Sequence, residues 1–304
     1  MFYLPNLHYF LVKAGFLVER ESVIKMIKVT ADSTCDLPGW IIDTYDITLI
    51  PLNVLIDDKV YQDGVNIKPE ELFKFVEEEG KTCKTAAVNT YDYLKVFEEL
   101  SSKYEAIIHI SLSSYLSSSF QNAVLAASNF SNVYVVDSRN LSSGSGHLVY
   151  DAALMAKEGL DPKDICTRLE ETVPKIESSF VIKRLDYLHK GGRCSSLAVL
   201  GANILNLKPC IEVIDGKMTV GKKYRGNFEH CIENYVRDRL EGRTDIDYSR
   251  IFITHPMCSE TVVNRAKEAI LKYADFQEII ESRAGCTISS HCGPNTLGIL
   301  FKRK

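Results

Sequence analysis

The sequence predicts an α/β protein, with a parallel-sheet α/β N-terminal domain followed by a mixed α+β C-terminal domain. Two observations carry this reading. Ala106–Leu112 and Val133–Val136 are short, β-branched apolar runs on either side of Phe120–Phe130, a segment of helical length and composition. Strand, helix and strand at that separation make a βαβ unit, which requires parallel strands. Later, Ile211–Gly221 consists of two short alternating runs around Asp215-Gly216. That dipeptide is a two-residue hairpin signal and implies antiparallel pairing. A chain of 304 residues has room for both units.

The remaining elements follow in chain order. Residues 1–25 are expected to be an extension, disordered or not native, because they lack a basic stretch before Lys13 and a small-residue cleavage site. Met26–Ala31 reads as a buried strand. A helix is expected over Gly146–Glu158, stopped by Gly159, which suits a left-handed C-cap. Asp161-Pro162 opens another, with Asp as N-cap and Pro in the first turn. Pro174 interrupts that pattern, so the boundary is set near Lys175, giving domains over 26–175 and 176–304. Ser259 caps a helix whose Val262, Val263, Ala266 and Ile270 share one face, and Leu297–Phe301 is a final strand. Asp32-Ser33 and Asp137-Ser138 each follow a predicted strand. In an open α/β sheet, ligands collect at the carboxyl ends of the strands, so both pairs point towards one crevice.

Composition removes several function classes. The chain has 36 basic and 40 acidic residues, a net charge of −4, which is no footprint for a nucleic-acid backbone. No apolar run approaches the roughly 20 residues that cross a bilayer, so stable membrane insertion is not expected. Nine cysteines without a C-x-x-C pair give neither a disulfide framework nor a zinc site, so no metal is expected, and scattered thiols fit a reducing cytoplasm.

Five places could carry chemistry. Ser111–Ser119 lies between a strand and a helix, and Ser118 with Gln121 fits a capping box, leaving Ser117 just outside the helix start. These serines either cap the helix or form an anion site at its positive end. Thr85 lies in a polar, small-residue stretch, Lys81–Thr90, which is either a connecting loop or a place of close ligand approach. His291 stands beside Gly293-Pro294 and could donate to an anion or act as a base. Lys190–Arg193 either presents Arg193 to an anion or partner, or is a charged surface loop. Lys222, Lys223 and Arg225, with Arg193, could form a basic partner-binding patch, or remain dispersed charges. Ser117, His291 and Asp32 or Asp137 would suffice for a serine hydrolase or acyl-transfer enzyme. However, no nucleophile elbow, zinc-protease motif, phosphate loop or strand-linked dinucleotide fingerprint is present.

Taken together, the segments resemble the DegV family of bacterial fatty-acid-binding proteins. The landmarks run in order from Met26 to the C-terminus: TADSTCDLP (Thr30–Pro38), IPLNV (Ile50–Val54), Tyr61-x-Asp63, the threonine at Thr85, and LSSSFQNA (Leu116–Ala123). VVDS (Val135–Ser138), LDYLHKGGR (Leu185–Arg193), LKPCIEVIDGK (Leu207–Lys217) and HCGPNTLG (His291–Gly298) complete them. The resemblance implies a non-catalytic subunit, without a cofactor, that holds one long-chain fatty acid in a tunnel between or beside the two domains. It also implies presentation of that acid to a separate kinase, for acyl-phosphate formation in phospholipid synthesis. By motif position, Thr85 and Ser117 would bind the carboxylate, with His291 nearby and Asp32, Ser33 and Ser118 in the same ligand-binding set. The chain departs from the family pattern at Ala86-Ala87-Val88, Ser118 and Asn295, so the head-group site is expected to persist and the tunnel to differ.

Overall fold

The computed structural model describes residues 26–194 and 207–304; the expected extension, residues 1–25, lies outside them. The chain begins with β1 (Ile27–Asp32), α1 (Gly39–Thr44), β2 (Thr48–Ile50), β3 (Asn53–Ile56), β4 (Lys59–Gln62), α2 (Pro69–Phe73) and β5 (Cys83–Ala86). It continues with α3 (Thr90–Ser101), β6 (Ala106–Ser111), α4 (Ser119–Ala127), β7 (Val133–Asp137), α5 (Ser143–Lys157) and α6 (Pro162–Thr172). Then come β8 (Ile176–Val181), α7 (Leu185–Gly191), β9 (Leu207–Ile214), β10 (Lys217–Arg225) and α8 (Phe228–Leu240). The last elements are β11 (Ile246–His255), α9 (Glu260–Tyr273), β12 (Glu278–Arg283), α10 (Cys286–Cys292) and β13 (Leu297–Arg303).

Three sheets result. The first, ordered β2-β1-β6-β7, is parallel throughout and contains the expected βαβ unit, β6–α4–β7. The second, β10-β9-β8-β13-β11-β12, is mixed: only β11 and β12 pair in parallel. The strands before Lys175 and those after it never share a sheet. Asp215 and Gly216 turn the β9–β10 hairpin with φ of 49° and 82°, as a two-residue turn with both central residues left-handed demands.

A third sheet, β4-β3-β5, was not foreseen. It corrects the reading of Lys81–Thr90 as loop: Thr85 is in a strand, paired antiparallel with Val54. Short strands with one polar face carry little periodicity, which is why this one is hard to read. Val54, Ile56, Ile67 and Leu72 of this layer pack with Cys286 at the start of α10.

α5 lies between the two larger sheets. Residues Ser143–Tyr150 are all buried, and Leu148, Val149, Ala152 and Ala153 share a core with Val29 and Ile108 on one side and Phe252 and Leu300 on the other. Its first turn admits only small residues. A Cβ on Gly144 would sit 2.1 Å from Asn140 Oδ1, and one on Gly146 would sit 2.7 Å from the Cys35 carbonyl. The helix begins at Ser143, earlier than the expected Gly146, because this packing overrides the poor helix propensity of Ser-Gly-Ser-Gly.

Candidate functional site

A cavity lies between the two larger sheets. Leu112, Leu116 and Leu141 line it from the parallel-sheet side, and Phe180, Met218 and Leu300 from the mixed-sheet side.

α10 borders the cavity, and two buried carboxylates hold its start. Asp36 accepts the Gly285 N–H at 2.8 Å, and Asp63 accepts the N–H groups of Cys286 and Thr287 at 2.7 and 3.0 Å. These side-chain oxygens satisfy otherwise orphaned donors at the helix start. Burial, with Asp63 nearby, pushes the Asp36 carboxyl up to about 8. α10 ends at Gly293, with φ 73°, and the turn after it uses Asn295 at φ 55°. His291 was expected beside that Gly-Pro turn, with no helix assigned to it. It lies instead in the last turn of α10, mostly enclosed.

His291 Nε2 is 2.8 Å from Thr85 Oγ1, a bond joining residues 206 positions apart. Burial, then the Arg193 guanidinium, push the imidazole down to about 4, so the ring is neutral near pH 7. Nδ1 has no hydrogen-bond partner among the described residues and faces Gly191, where a Cβ would stand only 2.1 Å away. A proton on Nδ1 would be a buried, unsatisfied donor beside a cation. The proton therefore belongs on Nε2, donated to Thr85 Oγ1, which leaves the threonine O–H to face the cavity.

Ser117 also lines the cavity. The expected capping box is not formed: Ser118 occupies the N-cap position, but its side chain makes no cap bond and is exposed. Ser117 caps instead. Its Oγ accepts the Ser119 N–H at 3.1 Å and bonds Ser119 Oγ at 2.9 Å. Ser119 Oγ in turn accepts the Val88 N–H at 3.3 Å and lies in hydrogen-bonding reach of Tyr93.

The Tyr93 hydroxyl donates to Asp32, which also accepts from Ser111 Oγ and the Leu112 N–H at 2.7 and 2.8 Å. The His109 ring stands 3.4 Å away. Burial raises the Asp32 pKa, but His109, Tyr93 and Ser111 outweigh it and leave the carboxyl below its ordinary value. Asp32 is thus a buried anchor, linked to Ser117 through Tyr93 and Ser119.

Three residues expected to bind ligand do not line the cavity: Asp32, Ser118 and Ser33. Ser33 accepts the Leu52 N–H and donates to Asp63. Asp137 caps the Ser114 and Arg139 N–H groups, so the two Asp-Ser pairs do not meet in one ligand crevice. No nucleophilic triad assembles. Ser117 bonds Ser119, His291 bonds Thr85, and no carboxylate reaches Nδ1 among the described residues.

Among the basic residues singled out, Arg193 lines the cavity and bonds the carbonyls of Leu116 and Gly191. Lys222 is ion-paired with Asp238 at 2.6 Å. Lys222, Lys223 and Arg225 lie in the last part of β10, whereas Cys194, next to Arg193, meets Met218 near its start. Seven residues of strand, about 23 Å, separate Met218 from Arg225, which sets Arg225 apart from Arg193. Thr85, His291 and Arg193 also border an open cleft, whose rim carries Lys81, Lys84 and Lys190.

Sequence reasoning missed Gly191 and Tyr93, and also Thr287, Ser142 and Thr254, whose residues line the cavity. Thr287 and His291 are four apart on α10, a spacing that signals one shared helix face. Among the described residues there is no cluster of metal-ligating side chains, and no helix is long and apolar enough to cross a membrane.

A family model described as an uncharacterised protein of the DegV family matches residues 26–304. A DegV domain-containing protein of Caldanaerobacter subterraneus subsp. tengcongensis is 35% identical over 285 residues, covering 92% of this chain and 100% of that one. A Thermotoga maritima protein named fatty acid-binding protein is 31% identical over 283 residues, covering 90% of this chain and 96% of its own. The solved structure of a protein from Thermus thermophilus, described as fatty acid binding, is similar with a TM-score of 0.83 at 27% identity. That similarity covers 92% of this chain and 100% of the other.

Proposed function

Because the chain belongs to the DegV family, we propose that it binds one long-chain fatty acid in the cavity and presents its carboxyl end to a separate kinase. The observation that carries this is the Thr85–His291 bond, which lies where the largely apolar cavity meets the neighbouring cleft. In this reading the Thr85 hydroxyl and Ser117 hold the head group, with His291 locking Thr85 from behind. Each buried methylene contributes about 0.8 kcal/mol, so a sixteen-carbon chain gains on the order of 10 kcal/mol before ordering costs. Two or three head-group hydrogen bonds add a few kcal/mol net. The tail supplies affinity and the head group supplies orientation.

The cleft supports access by a phosphate donor, because Arg193 and the rim lysines surround the exposed end of the head-group site. Lys222, Lys223 and Arg225 would belong to a separate contact with the kinase. The acyl phosphate formed there would enter phospholipid synthesis in the cytoplasm, with this chain acting as carrier and not as catalyst. Engagement of Ser117 by Ser119 and of His291 by Thr85 weighs against acyl transfer through either side chain.

Mass spectrometry of gently purified protein, native and then denatured, tests the binding. One fatty acid per chain is expected, whereas a covalent acyl adduct on Ser117 would replace this reading with acyl transfer. Ser117→Ala is expected to retain the lipid and to slow kinase-dependent phosphorylation about tenfold, one misdirected hydrogen bond's worth. Phosphorylation at the wild-type rate would remove Ser117 from the head-group site.

A further inference from the structure

The cavity has polar lining beyond Thr85, Ser117 and His291. Thr287 lies four residues before His291 on α10, so the two share a helix face about 6 Å apart along the axis. Thr287 lines the cavity and is 4% exposed, and its Oγ1 has no hydrogen-bond partner among the described residues. Ser142 and Thr254 line the cavity as well. Their hydroxyls are engaged: Ser142 donates to Asp36 at 2.5 Å, and Thr254 shares a 2.5 Å bond with Ser143. Asp36 also accepts the Gly285 N–H, which ties Ser142 to the start of α10. Ser142 holds φ 53°, a backbone conformation that serine seldom adopts and that is kept only where the surroundings impose it.

A purely hydrocarbon tail has no use for this lining. An unpaired buried hydroxyl is costly, and a valine of the same shape would be better there. We propose that Thr287 is the centre of a second polar subsite, which takes an oxygen carried on the acyl chain: a hydroxyl or keto group a few carbons from the carboxyl end. The inference rests on the carboxyl end lying at Thr85 and Ser117, since that sets which part of the chain reaches Thr287. A chain hydroxyl entering an apolar pocket would lose its bonds to water without replacement, whereas here it exchanges a bond with Thr287 Oγ1. The arrangement selects by pairing two groups that are each costly alone.

The test is displacement of a fluorescent fatty acid from the full chain by hexadecanoic acid, by the same acid hydroxylated near its carboxyl end, and by the acid hydroxylated at its far tip. Wild type is expected to bind the near-hydroxylated acid within about threefold of the plain acid. Thr287→Val should bind the plain acid more tightly and the near-hydroxylated acid about tenfold more weakly than wild type does. The tip-hydroxylated acid should be rejected alike by both. Thr287→Ser keeps the oxygen and should retain the wild-type preference, which separates loss of the subsite from loss of the fold. Equal rejection of the near-hydroxylated acid by wild type and Thr287→Val would overturn the proposal. Failure of folded wild type to bind any of the three acids would overturn the head-group reading, and this one with it.

Discussion

Gly191→Ala should destabilise the protein, although in an ordinary helix the same change does the reverse. Gly191 is the last residue of α7 and has no positive φ, so the helix itself favours alanine by about 0.5–1 kcal/mol. Against this, the new methyl would lie 2.1 Å from His291 Nδ1 and 3.1 Å from Cε1 and Cγ. The ring has to leave its slot. Overpacking of that kind costs about 1–3 kcal/mol, and loss of the Thr85–His291 hydrogen bond adds about 1 kcal/mol. The net expectation is a loss of about 1–3 kcal/mol. In a His291→Ala background the obstacle is gone, so the same substitution should be neutral or stabilising. Equilibrium urea unfolding of the four proteins closes a double-mutant cycle, with an expected coupling of about 2–4 kcal/mol. Additive effects, or stabilisation by Gly191→Ala in both backgrounds, would refute the tight seating of His291 and the tautomer argued from it.

Tyr93→Phe removes one donor from the buried Asp32 carboxylate and should cost about 1–3 kcal/mol in denaturant unfolding. Because Tyr93 also neighbours Ser119, the variant should slow kinase-dependent phosphorylation while retaining bound lipid; an unchanged rate would separate Asp32 from the head-group site. Asp36 carries a native pKa of about 8 against an ordinary 3.8, so the native state holds one proton more than the unfolded state between those values. Stability should therefore fall as pH rises from about 4 to about 8 and level off above, and Asp36→Asn should flatten that part of a pH series of urea melts. Arg193→Gln should move the His291 titration upward, as read from its ring resonances, yet leave it acidic, because burial is the larger cause.

The parallel half of the fold was legible in the sequence because β6 and β7 are continuous apolar runs, and the hairpin because Asp215-Gly216 names its own turn. Thr85, Ser117 and His291 were legible as candidates, and all three line the cavity. What each does there was not. Ser118 carries the capping-box spacing, but Ser117 does the capping, since only the folded turn decides which oxygen reaches the Ser119 N–H. Asp32 stands at a strand end as expected, yet faces Tyr93 and Ser111 instead of the cavity. Gly191 and Thr287 escaped notice because their significance lies in what they touch across the fold, which no local spacing records.

The placement of α5 has a consequence for how the two halves can move. Two-lobed binding proteins often open like a clam, by turning one lobe about a hinge. Here the lobes have a common axle. One face of α5 is packed on β1 and β6, while its His147 ring bonds the Leu300 carbonyl and Asp151 holds Arg250 and Lys302 of the other sheet. Turning either lobe away would expose that apolar surface at about 25 cal/mol per Å² and strand a buried arginine without its counter-ion. Under the proposed binding, the lipid would therefore have to change places without the two sheets separating.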